Sequence, residues 1–125
     1  MPCTSIQKHK DHLIMIKKNS EINIKIGSDE NNNPEAIQWM ATDSGVEDYR
    51  ETKAMMLSFW DVKENNSMRI DLWNKDLMVE EMYYFIYQNL ISMSETMSRA
   101  TNDQELAKDM QDFAAFFAKK SGIVK

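Results

Sequence analysis

In three runs between Ile22 and Trp73 the apolar residues recur at every second position, and from Val79 onward they recur at every third or fourth. This single change of period is the strongest constraint on what the chain can fold into. Alternation sends one set of side chains to one face of a strand, and the longer spacing lines one set along a helix. Strands followed by helices predict an α+β domain, an antiparallel sheet with helices packed on one face.

Ile22, Ile24 and Ile26 alternate with Asn23 and Lys25 across Ser20 to Ile26. Gly27 to Pro34 is a cluster of turn residues. Ala36 to Thr42 alternates again, with Ile37, Trp39 and Ala41 against Gln38, Met40 and Thr42, so the two runs read as a hairpin. Asp43 to Lys53 reads as a polar connection around Ser44-Gly45, with room for a helical turn. Ala54 to Asp61 suits a helix or a strand. The turn at Lys63-Glu64-Asn65-Asn66 and the clean alternation of Met68, Ile70 and Leu72 after it assign it to a strand. The expectation is a four-stranded antiparallel sheet of two hairpins, followed by two C-terminal helices on one face.

The first helical stripe is Val79, Met82, Ile86, Leu90, Met93 and Met97, and the second is Leu106, Met110, Phe113 and Phe117. Thr101 to Gln104 resembles a capping box, and Gly122 lies where a helix stop is expected. Residues 1–18 have no clear periodicity and read as a loose N-terminal extension. Met15 is an alternative start within it. Residues 19–125 read as a single domain.

Composition removes several function classes. With 125 residues, 42% hydrophobic and 28% charged, the chain is expected to fold. A formal net charge of −5 argues against nucleic acid and against an anionic membrane surface. The single cysteine, Cys3, precludes an internal disulfide. The apolar run Leu13 to Ile16 is too short for a signal peptide, and nothing approaches the roughly 20 residues of a membrane helix, so no membrane insertion is expected. A cytoplasmic address follows by elimination.

Chemistry-bearing residues are sparse. His9 and His12, with Asp11 and Cys3, have metal-ligand spacing, but they sit in the loose extension, and an unstructured surface is the simpler reading. Asp61, Asp71, Asp76, Glu80 and Glu81 offer carboxylates for acid–base work. Solvated strand ends and a negative first helical turn are the stronger explanation. No nucleophile elbow or phosphate loop is present. No catalysis, metal or cofactor is expected.

The run from Lys53 to Asp61 (KAMMLSFWD), then Met68 to Trp73 (MRIDLW), Lys75-Asp76 and Val79 to Met82 (VEEM), resembles the GldC family of gliding motility proteins of the Bacteroidota. Ser20-Glu21-Ile22 and the stretch from Met110 to Ala118 share the likeness, which covers roughly residues 15–125. The resemblance implies an accessory component of the gliding and associated secretion machinery. It implies no reaction, cofactor or catalytic residue. Its partners would be other gliding-machinery proteins.

Strand parity adds a candidate surface. With Ile22, Ile24, Ile26, Ile37, Trp39, Leu57, Phe59, Met68, Ile70 and Leu72 under the helices, the opposite face receives Met40, Met56, Trp60 and Trp73. A turn at residues 63–66 would set Met56 opposite Trp73, and Trp60 opposite Arg69 for a cation–π stack. Such a face suits a partner or a homodimer, unless the N-terminal extension or the 43–53 connection covers it. The competing idea is a ligand pocket drawing on Asn89, Ser94 and Thr96.

Overall fold

The computed structural model describes residues 15–43 and 45–124. Five strands precede two helices: β1 (Ile22–Ser28), β2 (Pro34–Ala41), β3 (Val46–Thr52), β4 (Ala54–Trp60), β5 (Ser67–Trp73), α1 (Val79–Thr101) and α2 (Gln104–Ser121). The α+β class and the order of strands before helices are as expected. The single four-stranded sheet is not. The strands form two antiparallel sheets, β1-β2-β3 and β4-β5. The described residues fall into two compact units divided after Leu72.

The correction comes from β3, which the sequence presents as a polar connection. Val46–Thr52 reads VEDYRET, with one aliphatic residue, so alternation of hydrophobicity is nearly silent there. The strand forms because β2 offers it a ladder. Ile37 faces Thr52, Gln38 faces Glu51 and Trp39 faces Arg50. Beyond that the register breaks: β2 moves from Trp39 to Ala41 while β3 moves from Arg50 to Val46. The extra length on β3 is a bulge, a common feature of an edge strand. The Lys25 ammonium, on β1, lies 4.5 Å from the centre of the Tyr49 ring on β3 and so reaches across the central strand.

Both alternating runs form strands as expected, but Ile22 and Ile26, which parity sets on a covered face, are exposed. Ile22, Ile24 and Ile26 stand opposite Ala41, Trp39 and Ile37. Ile37 is only 1% exposed, and Ala41 and Val46 are buried with it. These three, on β2 and the start of β3, are the buried apolar centre of this sheet. The β1–β2 loop is tied by the Asp29 carboxylate, which accepts from the backbone N–H groups of Asn31 and Asn33 at 2.8 and 2.9 Å. Lys18, in the expected loose extension, pairs with Asp43 at 3.5 Å, and the Ser20 hydroxyl donates to the same carboxylate. A single residue, Lys53, separates β3 from β4, and the Thr52 hydroxyl bridges that join by donating to the Ala54 carbonyl at 2.8 Å.

The helices pack against each other through small side chains. Ser94 of α1 is fully buried, as are Ala107, Ala114 and Ala118 of α2. The expected second stripe holds only in part: Met110 and Phe117 are half-buried, but Leu106 and Phe113 are exposed, and the alanine beside each of these two is buried. Small residues let two helices approach closely, so the seam excludes bulk and leaves it outside.

The caps also differ in detail. α1 continues through Thr101, and Asp103, not Thr101, is the N-cap of α2, accepting from the Leu106 N–H at 3.0 Å. Asn102 turns the chain between the helices in the left-handed conformation, with φ of 59°. Gly122 ends α2 with φ of 83°, where a side chain would be strained. At the start of α1 the Glu81 carboxylate accepts from the Met78 N–H at 2.9 Å, which is the acidic half of a capping box.

Candidate functional site

The five residues of the expected docking face divide between the sheets. Met56 and Trp60 lie on β4, and Arg69 and Trp73 on β5. Met40 lies apart from them on β2, opposite Asn23, where the β2–β3 ladder is bulged. The hairpin residues thus form one group and Met40 does not join it through sheet pairing.

The hairpin loop is also shifted from its expected place. The Asp61 N–H donates to the Asn66 carbonyl at 2.9 Å, and the Asn65 N–H donates back to the Asp61 carbonyl at 3.1 Å. These bonds close a loop of residues 62–65 rather than 63–66. Asn65 takes the left-handed conformation that such a loop needs, with φ of 52°. An unbroken ladder from this closure sets Trp60 across from Ser67 and Met56 across from Asp71. Arg69 and Trp73 then become the diagonal neighbours of Trp60 and Met56 on the same face.

Trp60 is 68% exposed and Trp73 55%. Arg69 is held by Asp71, two residues along the same strand. Its Nε and one terminal nitrogen donate to the two carboxylate oxygens at 3.2 and 2.9 Å. The guanidinium is thereby matched to a carboxylate fork rather than to the Trp60 ring. The other side of the hairpin is open as well: Phe59, Met68 and Ile70 are each more than half exposed, although parity had set them on a covered face. A hairpin of two strands is too narrow to bury both of its own apolar faces.

Three of the five carboxylates considered for catalysis have structural partners. Asp61 accepts from the Lys63 and Glu64 N–H groups, capping its own loop. Asp71 holds Arg69, and Glu81 caps α1. The polar residues considered for a ligand pocket turn back on their own helix. The Asn89 amide donates to the Phe85 carbonyl at 2.7 Å, the Ser94 hydroxyl to Ile91 at 2.6 Å and the Thr96 hydroxyl to Ser92 at 3.1 Å.

A cleft of about 540 Å³ lies between α1 and α2 near their turn, lined by Glu95, Ser98, Arg99, Gln104, Ala107, Lys108 and Gln111. Its polar groups are largely engaged with neighbours. Ser98 donates to Gln104 at 2.9 Å, and Lys108 pairs with Asp112 at 2.7 Å. That hydrogen bond and the Asp112 charge raise the Lys108 ammonium above the ordinary lysine range.

Among the described residues there is no cluster of three or more metal-ligating side chains. The group Cys3, His9, Asp11 and His12 lies outside the described residues. No helix among the described residues is long and apolar enough to cross a membrane.

A family model described as "Gliding motility-associated protein GldC-like" matches residues 34–123, from β2 to the end of α2. No curated protein and no solved structure matches the chain.

Proposed function

From the premise that this chain belongs to the GldC-like family of gliding motility-associated proteins, we propose that it acts as a non-catalytic accessory protein of the gliding machinery, in the cytoplasm, by docking to another component of that machinery. The β4–β5 hairpin is the docking element. The observation that carries this is the pair of exposed tryptophans, Trp60 and Trp73, on the two paired strands of the hairpin, which an unbroken ladder sets on one face. Large aromatic side chains left in water are costly to solvate and are favoured anchors of protein interfaces. Arg69, flanked by Ile70 and held by Asp71, supplies a fixed polar group beside them.

Catalysis has little support: three of the five candidate carboxylates, Asp61, Asp71 and Glu81, serve loop closure, ion pairing and capping. The small-ligand alternative loses its polar groups to intrahelical bonds.

The test is complementation. A deletion strain receives the wild-type chain or the double variant Trp60→Ser and Trp73→Ser, with folding of the variant checked by circular dichroism. Spreading and recovery of a defined gliding-machinery protein with the tagged chain are then compared. Loss of both in the folded variant is expected. Full spreading and unchanged recovery would overturn the assignment.

A further inference from the structure

We infer that β5 pairs with the β5 of a second copy of this chain, antiparallel about a two-fold axis through Ile70, joining two hairpins into one four-stranded sheet. This goes beyond the docking face above. It uses the backbone edge of the strand, and it holds whether or not that face binds a component of the gliding machinery.

The first argument is the open edge. Among the described residues β5 has one sheet neighbour, β4. The Asn66 carbonyl faces β4, where it accepts from Asp61. Backbone direction alternates along a strand, so the N–H and C=O groups of Arg69, Asp71 and Trp73 face away from β4. The edge runs for seven residues, Ser67–Trp73, with none of the prolines or lysines that commonly protect such edges. A two-stranded hairpin is marginal by itself, and three or more strands with an apolar face are needed for stability.

The second argument is the sequence SMRIDLW read in both directions. Antiparallel pairing about Ile70 sets Arg69 of each copy opposite Asp71 of the other. Met68 meets Leu72, Ser67 meets Trp73, and Ile70 meets itself. Every charge faces its opposite and every aliphatic residue faces another. An isologous contact demands this self-complementarity. The outward backbone groups fall in register too. Arg69 and Asp71 exchange both ladder hydrogen bonds, and Ile70 sits at the close, non-bonded pair. The fork already formed between Arg69 and Asp71 at 2.9 Å brings together the same two groups that the pairing alternates across the axis.

The other edges fail this comparison. On β3, a two-fold through Tyr49 pairs Asp48 with Arg50 but sets Glu47 against Glu51, and the strand is bulged. On β1, a two-fold through Ile24 leaves Lys25 opposite Asn23, with no ion pair. β4 carries no charged residue to fix a register.

The experiment is a charge exchange followed by sedimentation equilibrium on the full chain. The wild type is expected to dimerise. Arg69→Asp sets aspartate against aspartate across the axis, and Asp71→Arg sets arginine against arginine. The two-fold applies each change twice, so each single variant dissociates about tenfold more readily. The double exchange, Arg69→Asp with Asp71→Arg, restores the dimer. A one-to-one mixture of the two single variants forms a heterodimer although each alone is weakened. As a check independent of any variant, the amides of Arg69 and Asp71 in the wild type exchange more slowly as protein concentration rises. A monomeric wild type, a dimer indifferent to the single reversals, a mixture that behaves as the sum of its parts, or exchange independent of concentration would each overturn the pairing. None of these outcomes bears on complementation by the Trp60 and Trp73 variant.

Discussion

The Lys25 ammonium stands 4.5 Å from the centre of the Tyr49 ring and so links the two outer strands of the three-stranded sheet across its middle strand. Gln38 on β2 lies between them in register, opposite Lys25 on one side and Glu51 on the other. An exposed cation–π contact contributes about 0.5–1 kcal/mol. A double-mutant cycle with Lys25→Gln and Tyr49→Leu, followed by urea unfolding, should return a coupling energy in that range. Additive effects of the two substitutions would show that the contact contributes nothing.

The alanine seam between the helices is intolerant of bulk. Ala114 is fully buried, whereas Phe116, two residues on, is 59% exposed. Ala114→Leu should destabilise the protein by about 1–3 kcal/mol through overpacking. Phe116→Leu should stay within about 0.5 kcal/mol, as surface substitutions usually do. Thermal melts of the two variants side by side test the contrast, and the order of the pair is the informative result.

Asparagine does work at turns that glycine often does. Asn32, Asn65 and Asn102 all have positive φ, of 65°, 52° and 59°. Asn65→Ala should cost about 1 kcal/mol, since a left-handed residue with a Cβ is strained and alanine has no polar group to offset it. Asn65→Gly should be close to neutral. Chemical denaturation of both variants gives the comparison, and equal losses would point to a side-chain role for Asn65.

Removing the cap of α2 has a predictable cost. Asp103→Ala leaves the Leu106 N–H without its carboxylate partner. The expected loss is about 1 kcal/mol, with Asp103→Asn losing less. Hydrogen exchange should accelerate first in the opening turn of α2.

Lys108 gives a pH dependence of definite sign. Its folded pKa is raised by the Asp112 hydrogen bond and charge. The stabilising contribution is thus fully present below the ordinary lysine pKa and disappears as pH rises through the higher folded value. The pair is on the surface, so the effect on global stability is small. A site-resolved NMR titration should find the Lys108 midpoint above the ordinary lysine value, and Asp112→Asn should lower it.

Much of this architecture is legible in the residues, for identifiable reasons. β1, β2 and β5 each carry alternating aliphatic residues, and such a pattern has one good solution. β3 carries VEDYRET and owes its conformation to the ladder that β2 presents, a partner that no local pattern reveals. Parity places Trp60 and Trp73 on the same side of the hairpin, an assignment that survives a shift of the loop by one residue at each end. The exposure of Phe59, Met68 and Ile70 is not legible in this way, because parity assigns faces and says nothing of what covers them. In α2 the buried side is marked by Ala107, Ala114 and Ala118, which weigh little on any hydrophobicity scale beside Leu106 and Phe113.

The join at Lys53 has a mechanical consequence. One extended residue spans about 3.3 Å, so the end of β3 and the start of β4 cannot separate before the backbone between them is taut. The Thr52 hydroxyl, fastened to the Ala54 carbonyl, shortens the slack further. Tension applied to the hairpin enters the β2–β3 ladder directly, with no compliant loop to absorb it. The two sheets are connected in series, and a load borne by one is passed to the other.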